Sequence, residues 1–377
     1  MAFTRRRFVG SLGVAGASIV GGVGTAHGLQ STPADPKAKP ADVLIKLDQN
    51  ENPNPPSEAV RKAVMDALQL GNRYPRNAGD LLDALASEHG VLRENILLGV
   101  GSGELLKSAV IAFVSATRPL VAGLPTFETS TSTAKALGLP VREIPVDKNL
   151  RLDLPSMEAA SGGSGLLFFC NPNNPTGTVW PTKDIEGMID RVTKTSPQTI
   201  ILIDEAYAHF AEGNDYWSLA KRAVKQPNLL VLRTFSKAYG IAGLRVGYAI
   251  GVRETLATLR KCTTSAQIPT TSVAAALAAL GDTSLVRLQV QETKAQRAAV
   301  TRTFQAMGLT VFPSEANFVL VDVKRKPEAF QAACRERGVL VGRPFPGLES
   351  HSRISIGSSD EMRQAFEVFK AVLAQTA

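Results

Sequence analysis

Four apolar runs in this chain each end in a cluster of small and polar residues. "NILLGV" precedes "GSGELLKSAVIAFV", "GLLFFC" precedes "NPNNPTG", "TIILID" precedes "EAYAHF", and "NLLVLRTF" precedes "SKAYG". Each run has the length of a strand buried on both faces, and the stretches between them follow a helical period. That alternation predicts an α/β fold with parallel strands and crossover helices. In an open sheet of this kind ligands sit beyond the C-terminal strand ends, so the four polar motifs are expected around one crevice.

Taken singly, each motif has a plain reading. "GVGSGE", Gly99 to Glu104, offers backbone N–H groups and a helix N-terminus to an anion, or is an ordinary turn. It lacks the Lys-Ser/Thr ending of an ATP-binding loop and the GxGxxG spacing of a dinucleotide fingerprint. "NPNNPTG", Asn171 to Gly177, is a turn by composition, yet Asn174 carries an amide to the crevice. Asp204 and Tyr207 in "DEAY" are a carboxylate and a phenol at a strand end, or the start of a capped helix. Lys237 follows an apolar run, where an ammonium needs water, a partner or a covalent bond; a snorkelling surface lysine is the alternative. Thr234, Ser236 and Arg245 add two hydroxyls and a guanidinium beside it.

The combined set is an amine nucleophile, a carboxylate, a phenol, an amide and an anion cradle. Pyridoxal phosphate requires that inventory: a lysine for the Schiff base, an acid to keep the pyridine nitrogen charged, and donors for the phosphate.

The motifs "KLDQNENPNPP", "RYP", "GVGSGELL", "PTF", "NPNNPTG", "DEAY", "TFSKAYGIAGLRVGY", "ANFVLV" and "RISIG" stand in one order. From about Ile45 to the C-terminus the chain resembles the class I/II aminotransferases of fold type I, and within them the histidinol-phosphate aminotransferase group. The resemblance implies a large domain with a mostly parallel seven-stranded sheet flanked by helices, plus a smaller α+β domain. It implies pyridoxal 5'-phosphate as cofactor, with Lys237 as the covalent lysine and proton carrier. Asp204 would pair with the ring nitrogen, Asn174 and Tyr207 with its 3'-oxygen, and Phe127 with its face. Ser102, Gly103, Thr234, Ser236 and Arg245 would hold the phosphate, joined by Tyr74 from the partner in a homodimer. Arg353 would receive the substrate's anionic group and Arg343 would offer a second anion contact, with Asn50 and Glu51 on a lid near the substrate.

One departure bears on the substrate. Where the histidinol-phosphate enzymes usually read "NENPYGP", this chain has Asn54 and Pro55, so a phosphate-gripping tyrosine is missing. The expectation is therefore transamination between an amino acid and a 2-oxo acid. Histidinol phosphate as donor, or decarboxylation or elimination on the same fold, are the alternatives; a non-catalytic binding module sits poorly with Lys237, Asp204 and Tyr207 together.

With 377 residues the chain exceeds the usual span of one core. The expected division is a lid with part of the small domain at 42–70, a large domain at 71–266 and a small domain at 267–377. The net charge of +8 includes Arg5, Arg6 and Arg7; without them 39 basic residues face 34 acidic ones, spread along the chain, and no nucleic-acid surface is expected. Cys170, Cys262 and Cys334 have neither disulfide nor metal-ligand spacing. Residues 1–26 run from an arginine cluster to an uncharged Gly/Ala/Val stretch, the order of an export signal of twin-arginine type, with a membrane anchor as the alternative. Residues 27–41 read as a linker. The resemblance of that signal implies the twin-arginine export machinery as partner, a periplasmic location, and folding around a cofactor before export.

Overall fold

The computed structural model describes residues 44–374, except 76, 77, 212, 214 and 264–267. They fall within one compact unit, Val43–Ala377. The expected export signal and linker lie outside the described residues.

The chain enters through strand β1 (Ile45–Leu47) and helices α1 (Glu58–Leu68) and α2 (Gly79–His89). Then come β2 (Ile96–Val100), α3 (Ser102–Phe113), β3 (Leu120–Leu124), α4 (Thr129–Ala136), β4 (Val141–Pro145), α5 (Leu154–Ala160) and β5 (Leu166–Cys170). After α6 (Thr182–Thr195) follow β6 (Ile200–Asp204), α7 (Ala220–Ala223), β7 (Leu229–Thr234), β8 (Val246–Ile250), α8 (Arg253–Arg260) and α9 (Thr270–Gly281). The remainder is α10 (Thr283–Ala306), β9 (Thr310–Phe312), β10 (Phe318–Asp322), α11 (Pro327–Arg335), β11 (Val339–Val341), β12 (His351–Ser355) and α12 (Ser359–Leu373).

Seven strands form the main sheet in the order β2-β8-β7-β6-β5-β3-β4. Only β8 runs against the others, since it is antiparallel to both β7 and β2. The C-terminal ends of β2, β5, β6 and β7 therefore share one edge of the sheet, and β8 begins there. That reversal places Arg245, the residue before β8, beside the motifs that close the parallel strands.

Alternation along each strand sends side chains into two apolar layers. On β5, Phe168 faces the layer containing Leu106, Leu202 and Leu232, while Phe169 faces the one containing Ile189, Ile203 and Val231. Both rings are fully buried, each stabilising the fold by ~1.5–3 kcal/mol relative to exposure. Helix α6 shows how sequence selects its face: Ile185, Met188, Ile189 and Val192 recur at helical spacing and are buried, with charged residues opposite.

A second core gathers Val300 and Phe304 of α10, Phe330 of α11, and Phe366 and Phe369 of α12 around the antiparallel sheet β12-β10-β9 and the parallel pair β1-β11. Ser358 caps α12 in a reciprocal capping box with Glu361. The expected boundaries put 42–70 and 267–377 with this smaller body, and packing redraws them. Val60 of α1 and Val273, Ala275, Ala276 and Ala279 of α9 join the layer under the main sheet, because these apolar residues face that layer. The leading segment joins the second body through β1, which pairs with β11, and through the residues just after it.

Candidate active site

The strand ends, the loop before β8, the segment 48–51 and the loops around β11 and β12 enclose a cavity of about 620 Å³. Ser102, Gly103, Phe127, Asn174, Asp204, Tyr207, Thr234, Ser236, Lys237, Arg245, Arg343, Arg353, Asn50 and Glu51 all line it. Tyr74 does not: it is 85% exposed and stands outside the cavity in its own chain.

The cradle at one end is set by two close backbone approaches. Gly101 has φ +75°, and a Cβ there would lie 2.4 Å from an Arg245 nitrogen. At Gly247 a Cβ would lie 2.2 Å from the backbone nitrogen of Ser102, so glycine lets β8 meet the start of α3. The N–H groups of Ser102 and Gly103 then open the first helical turn, where they lack intrahelical acceptors. A Cβ added to Gly103 would meet nothing within 4 Å, so the space beside it is open. The Thr234 hydroxyl donates to Ser236 Oγ at 3.0 Å and an Arg245 N–H donates to the same oxygen at 3.4 Å. Ser236 therefore keeps its own O–H to give. Arg245 holds a left-handed backbone, φ 53°, a conformation costing a non-glycine residue ~1 kcal/mol or more that recurs at functional sites.

Lys237 Nζ donates to the backbone carbonyls of Gln49 at 3.1 Å and Asn50 at 3.0 Å. Burial, with Arg353 and Arg245 nearby, lowers its pKa to about 7 against the pull of Glu51 and Asp204. Asp204 is buried beside Cys170 and accepts the Ala206 N–H at 3.1 Å. Burial pushes its carboxyl up to about 7, with Glu205 adding and Ala206 and Lys237 opposing. A buried acid in that state gains most from a cationic partner. Tyr207 accepts the Asn50 amide N–H at 3.0 Å, which leaves its own proton to donate; burial raises that phenol's pKa.

Asn50 is thus a strut for Tyr207 and Lys237, buried to 1% exposure, where a lid residue near substrate was expected. Its own backbone is held by Ser355 Oγ and Asn317 Nδ2. "EAYAHF" forms only a short 3-10 turn at Ala208–Phe210, not the helix its pattern suggested. Sequence reasoning gave no role to the carbonyls of Gln49 and Asn50 or to Ser355, Cys170, Glu128 and Phe345. Asn317, within the quoted "ANFVLV", was the nearest signal for the strut.

Arg353, on β12, is 7% exposed. One terminal nitrogen donates to Asn174 Oδ1 at 2.6 Å and the other to the Asp48 carbonyl, while Nε is buried with no partner. Asn174 so retains its amide N–H groups for a ligand. The Arg353 guanidinium lies 5.1 Å from the centroid of Phe345, and that of Arg343 lies 4.3 Å from the same ring. Arg343 is paired with Glu128 and half-exposed.

A hydroxyl and guanidinium cradle, a buried acid, a phenol, an amide and a low-pKa lysine in one cavity make up the donor set that a phosphorylated pyridine aldehyde would need. Comparison with known proteins agrees. Residues 42–369 match the model of the family "Aminotransferase class I and II". The histidinol-phosphate aminotransferase of Symbiobacterium thermophilum is 38% identical over 339 residues, covering 88% of this chain and 91% of that protein. The aromatic amino acid aminotransferase of Rhodococcus opacus is 36% identical over 328 residues, 86% of this chain and 89% of that protein. Among solved structures, histidinol-phosphate aminotransferase from Sinorhizobium meliloti, in complex with pyridoxal-5'-phosphate, superposes with a TM-score of 0.82 at 28% identity, covering 88% and 91% of the two chains. The chain belongs to the class I and II aminotransferases, enzymes that work with pyridoxal 5'-phosphate.

Proposed function

We propose that this aminotransferase moves the amino group of an amino acid to a 2-oxo acid, and that both substrates are held by their α-carboxylate on Arg353. One observation carries the proposal: a buried guanidinium lines the cavity with an unpartnered Nε, and the second guanidinium, Arg343, is already neutralised by Glu128. With Arg245 at the cradle, Arg353 is the guanidinium left at the other end of the cavity for a small anion: its terminal nitrogens rest on neutral oxygens and no carboxylate is paired with it among the described residues. A phosphate dianion would meet the Glu128 carboxylate as well, and Asn54 is not among the cavity-lining residues.

The cradle of Ser102, Gly103, Thr234, Ser236 and Arg245 would hold the cofactor's phosphate. Asp204 would hold its ring nitrogen, Asn174 and Tyr207 its ring oxygen, and Phe127 a ring face. When bound, pyridoxal phosphate supplies an electron sink that makes the substrate's Cα–H acidic. Lys237 would carry the cofactor and would move the proton at the substrate's Cα. Its pKa near 7 suits both tasks, since the free amine is populated at neutral pH. The carbonyls of Gln49 and Asn50 hold Nζ when it is not so engaged. Donor and acceptor take turns in the one cavity, giving ping-pong kinetics.

In this proposal two copies pair so that the exposed Tyr74 of each reaches the other's cradle, and a monomer at assay concentrations in sedimentation would remove Tyr74 from the site. Export by the twin-arginine route, read from Arg5 and Arg6, is proposed too; equal export of a variant with both changed to lysine would exclude it.

Histidinol phosphate is the competing donor, favoured by the names of several relatives. A donor screen following formation of pyridoxamine phosphate in a single half-reaction separates the readings. Amino acids, aromatic ones included, are expected to exceed histidinol phosphate in kcat/KM. Histidinol phosphate outrunning every amino acid tested would overturn the proposal.

A further inference from the structure

Directly behind the cavity floor lies a second group of ionisable side chains, which the reaction as described leaves unused. Asp204 and Thr234 share a sheet face with Leu202 and Leu232, so the residues next to them in sequence emerge on the other face. Those residues are Glu205 and Arg233. An Arg233 N–H donates to Glu205 Oε2 at 2.9 Å, and the two residues are 8% and 2% exposed.

The pair ties the ends of β6 and β7 to each other and to the segments beside them. Glu205 accepts the Leu219 N–H at 2.8 Å and the Ser218 hydroxyl at 2.6 Å, anchoring the end of β6 to the start of α7. The other Arg233 terminal nitrogen lies 3.4 Å from His209 Nε2, in the 3-10 turn that follows Tyr207. The His209 ring meets the edge of Tyr239 at 5.1 Å, and Tyr239 stacks on Phe235 at 4.5 Å. Tyr239 and Phe235 flank Lys237 in sequence. A buried ion pair is a poor way to gain stability, because desolvation of both charges offsets their attraction and a well-packed apolar pair often does as well. Its presence one residue along the chain from Asp204 and from Thr234 points to precision instead.

We propose that Glu205 and Arg233 are a positioning pair for the transamination reaction: their bridge fixes the spacing of the β6 and β7 ends, and so the separation between Asp204 and the Thr234–Lys237 cradle. The proposal rests on the cofactor reading of those cavity residues. The pair also balances charge. From the cavity side Asp204 faces Lys237, Tyr207 and Cys170, and from behind it faces Glu205. Arg233 cancels that rear charge and is itself surrounded by Tyr216, Tyr239, Tyr248, His89 and His209, with Glu88 beyond the tyrosines. Both histidines are driven neutral by burial, His89 to about 4 and His209 to about 3, so they leave the balance to Glu205 and Arg233 at neutral pH.

The test uses cofactor-loaded Glu205→Gln, Arg233→Gln and the apolar double variant Glu205→Leu with Arg233→Met. Three quantities are read: the pH midpoint of the bound cofactor's visible band, the Kd of the cofactor, and Tm. Removing the cation favours protonation nearby and removing the anion disfavours it, so the midpoint should rise in Arg233→Gln and fall in Glu205→Gln, each by about half a unit or more. The double variant, with no buried charge, should keep a near-parental Tm while binding cofactor at least about tenfold more weakly, because the spacing is lost. It also decides the matter if the single variants fail to fold. A double variant with parental Kd and midpoint, or single variants that change Tm alone, would sink the proposal. Borohydride labelling separates this from failure of the underlying reading: label on a lysine other than Lys237 removes the cofactor assignment itself, whereas label on Lys237 with unaffected pair variants removes only the positioning role.

Discussion

At the floor of the cavity Asp204, Thr234 and Lys237 stand at the ends of two neighbouring strands, whereas at its rim Glu128 and Arg343 meet across 215 positions of sequence. The floor is buried, backed by the Glu205–Arg233 bridge, and each of its groups has a perturbed proton affinity or a committed hydrogen bond. Along the rim Glu51, Glu128 and Arg343 are partly in water, and their ion pair is the kind that salt screens. Between them Arg353 is buried like the floor but carried by β12, a strand of the second sheet. Proximity in sequence and burial thus mark the part to which the proposal gives the chemistry. The rim residues Glu51, Glu128 and Arg343 lie on loops, outside the helices and strands.

If this contrast is right, substitutions should lose effect from floor to rim. Lys237→Ala should retain cofactor binding, because the cradle and Asp204 are untouched, yet lose turnover by about a thousandfold or more, since the proton carrier at Cα is gone. Retention of more than a tenth of parental turnover would break the contrast at its strongest point. Arg353→Lys keeps the charge and loses the planar fork; kcat/KM for amino acids should fall by about tenfold, a loss of ~1.4 kcal/mol. The same fall for a donor amine that lacks a carboxylate would show that Arg353 supports the fold and does not grip the substrate. Arg343→Met removes a half-exposed pair worth ~0–1 kcal/mol, so kcat/KM for amino acids should stay within about fivefold of the parent. A larger loss would move Arg343 from rim to substrate site and reopen the phosphate-bearing donor.

Much of this was written in the chain. The four apolar runs and the motifs behind them determined the α/β layering, the shared edge of the sheet and the floor of the cavity, because a buried strand advertises itself by composition and its end delivers the next few residues to one place. Lys237, Asp204 and Asn174 were legible for that reason. Local pattern could not reveal that α1 and α9 belong under the main sheet, since an apolar helix face is equally compatible with either core until both are folded. Nor could it show Asn50 turning inward to Tyr207, with φ 55° and carbonyl partners 187 and 267 positions away. The neutralisation of Arg343 by Glu128 and the bridge behind Asp204 were likewise decided only in the folded molecule. Each depends on charges brought together through space, and a charge in sequence carries no record of its partner until packing has excluded the water that would otherwise have answered it.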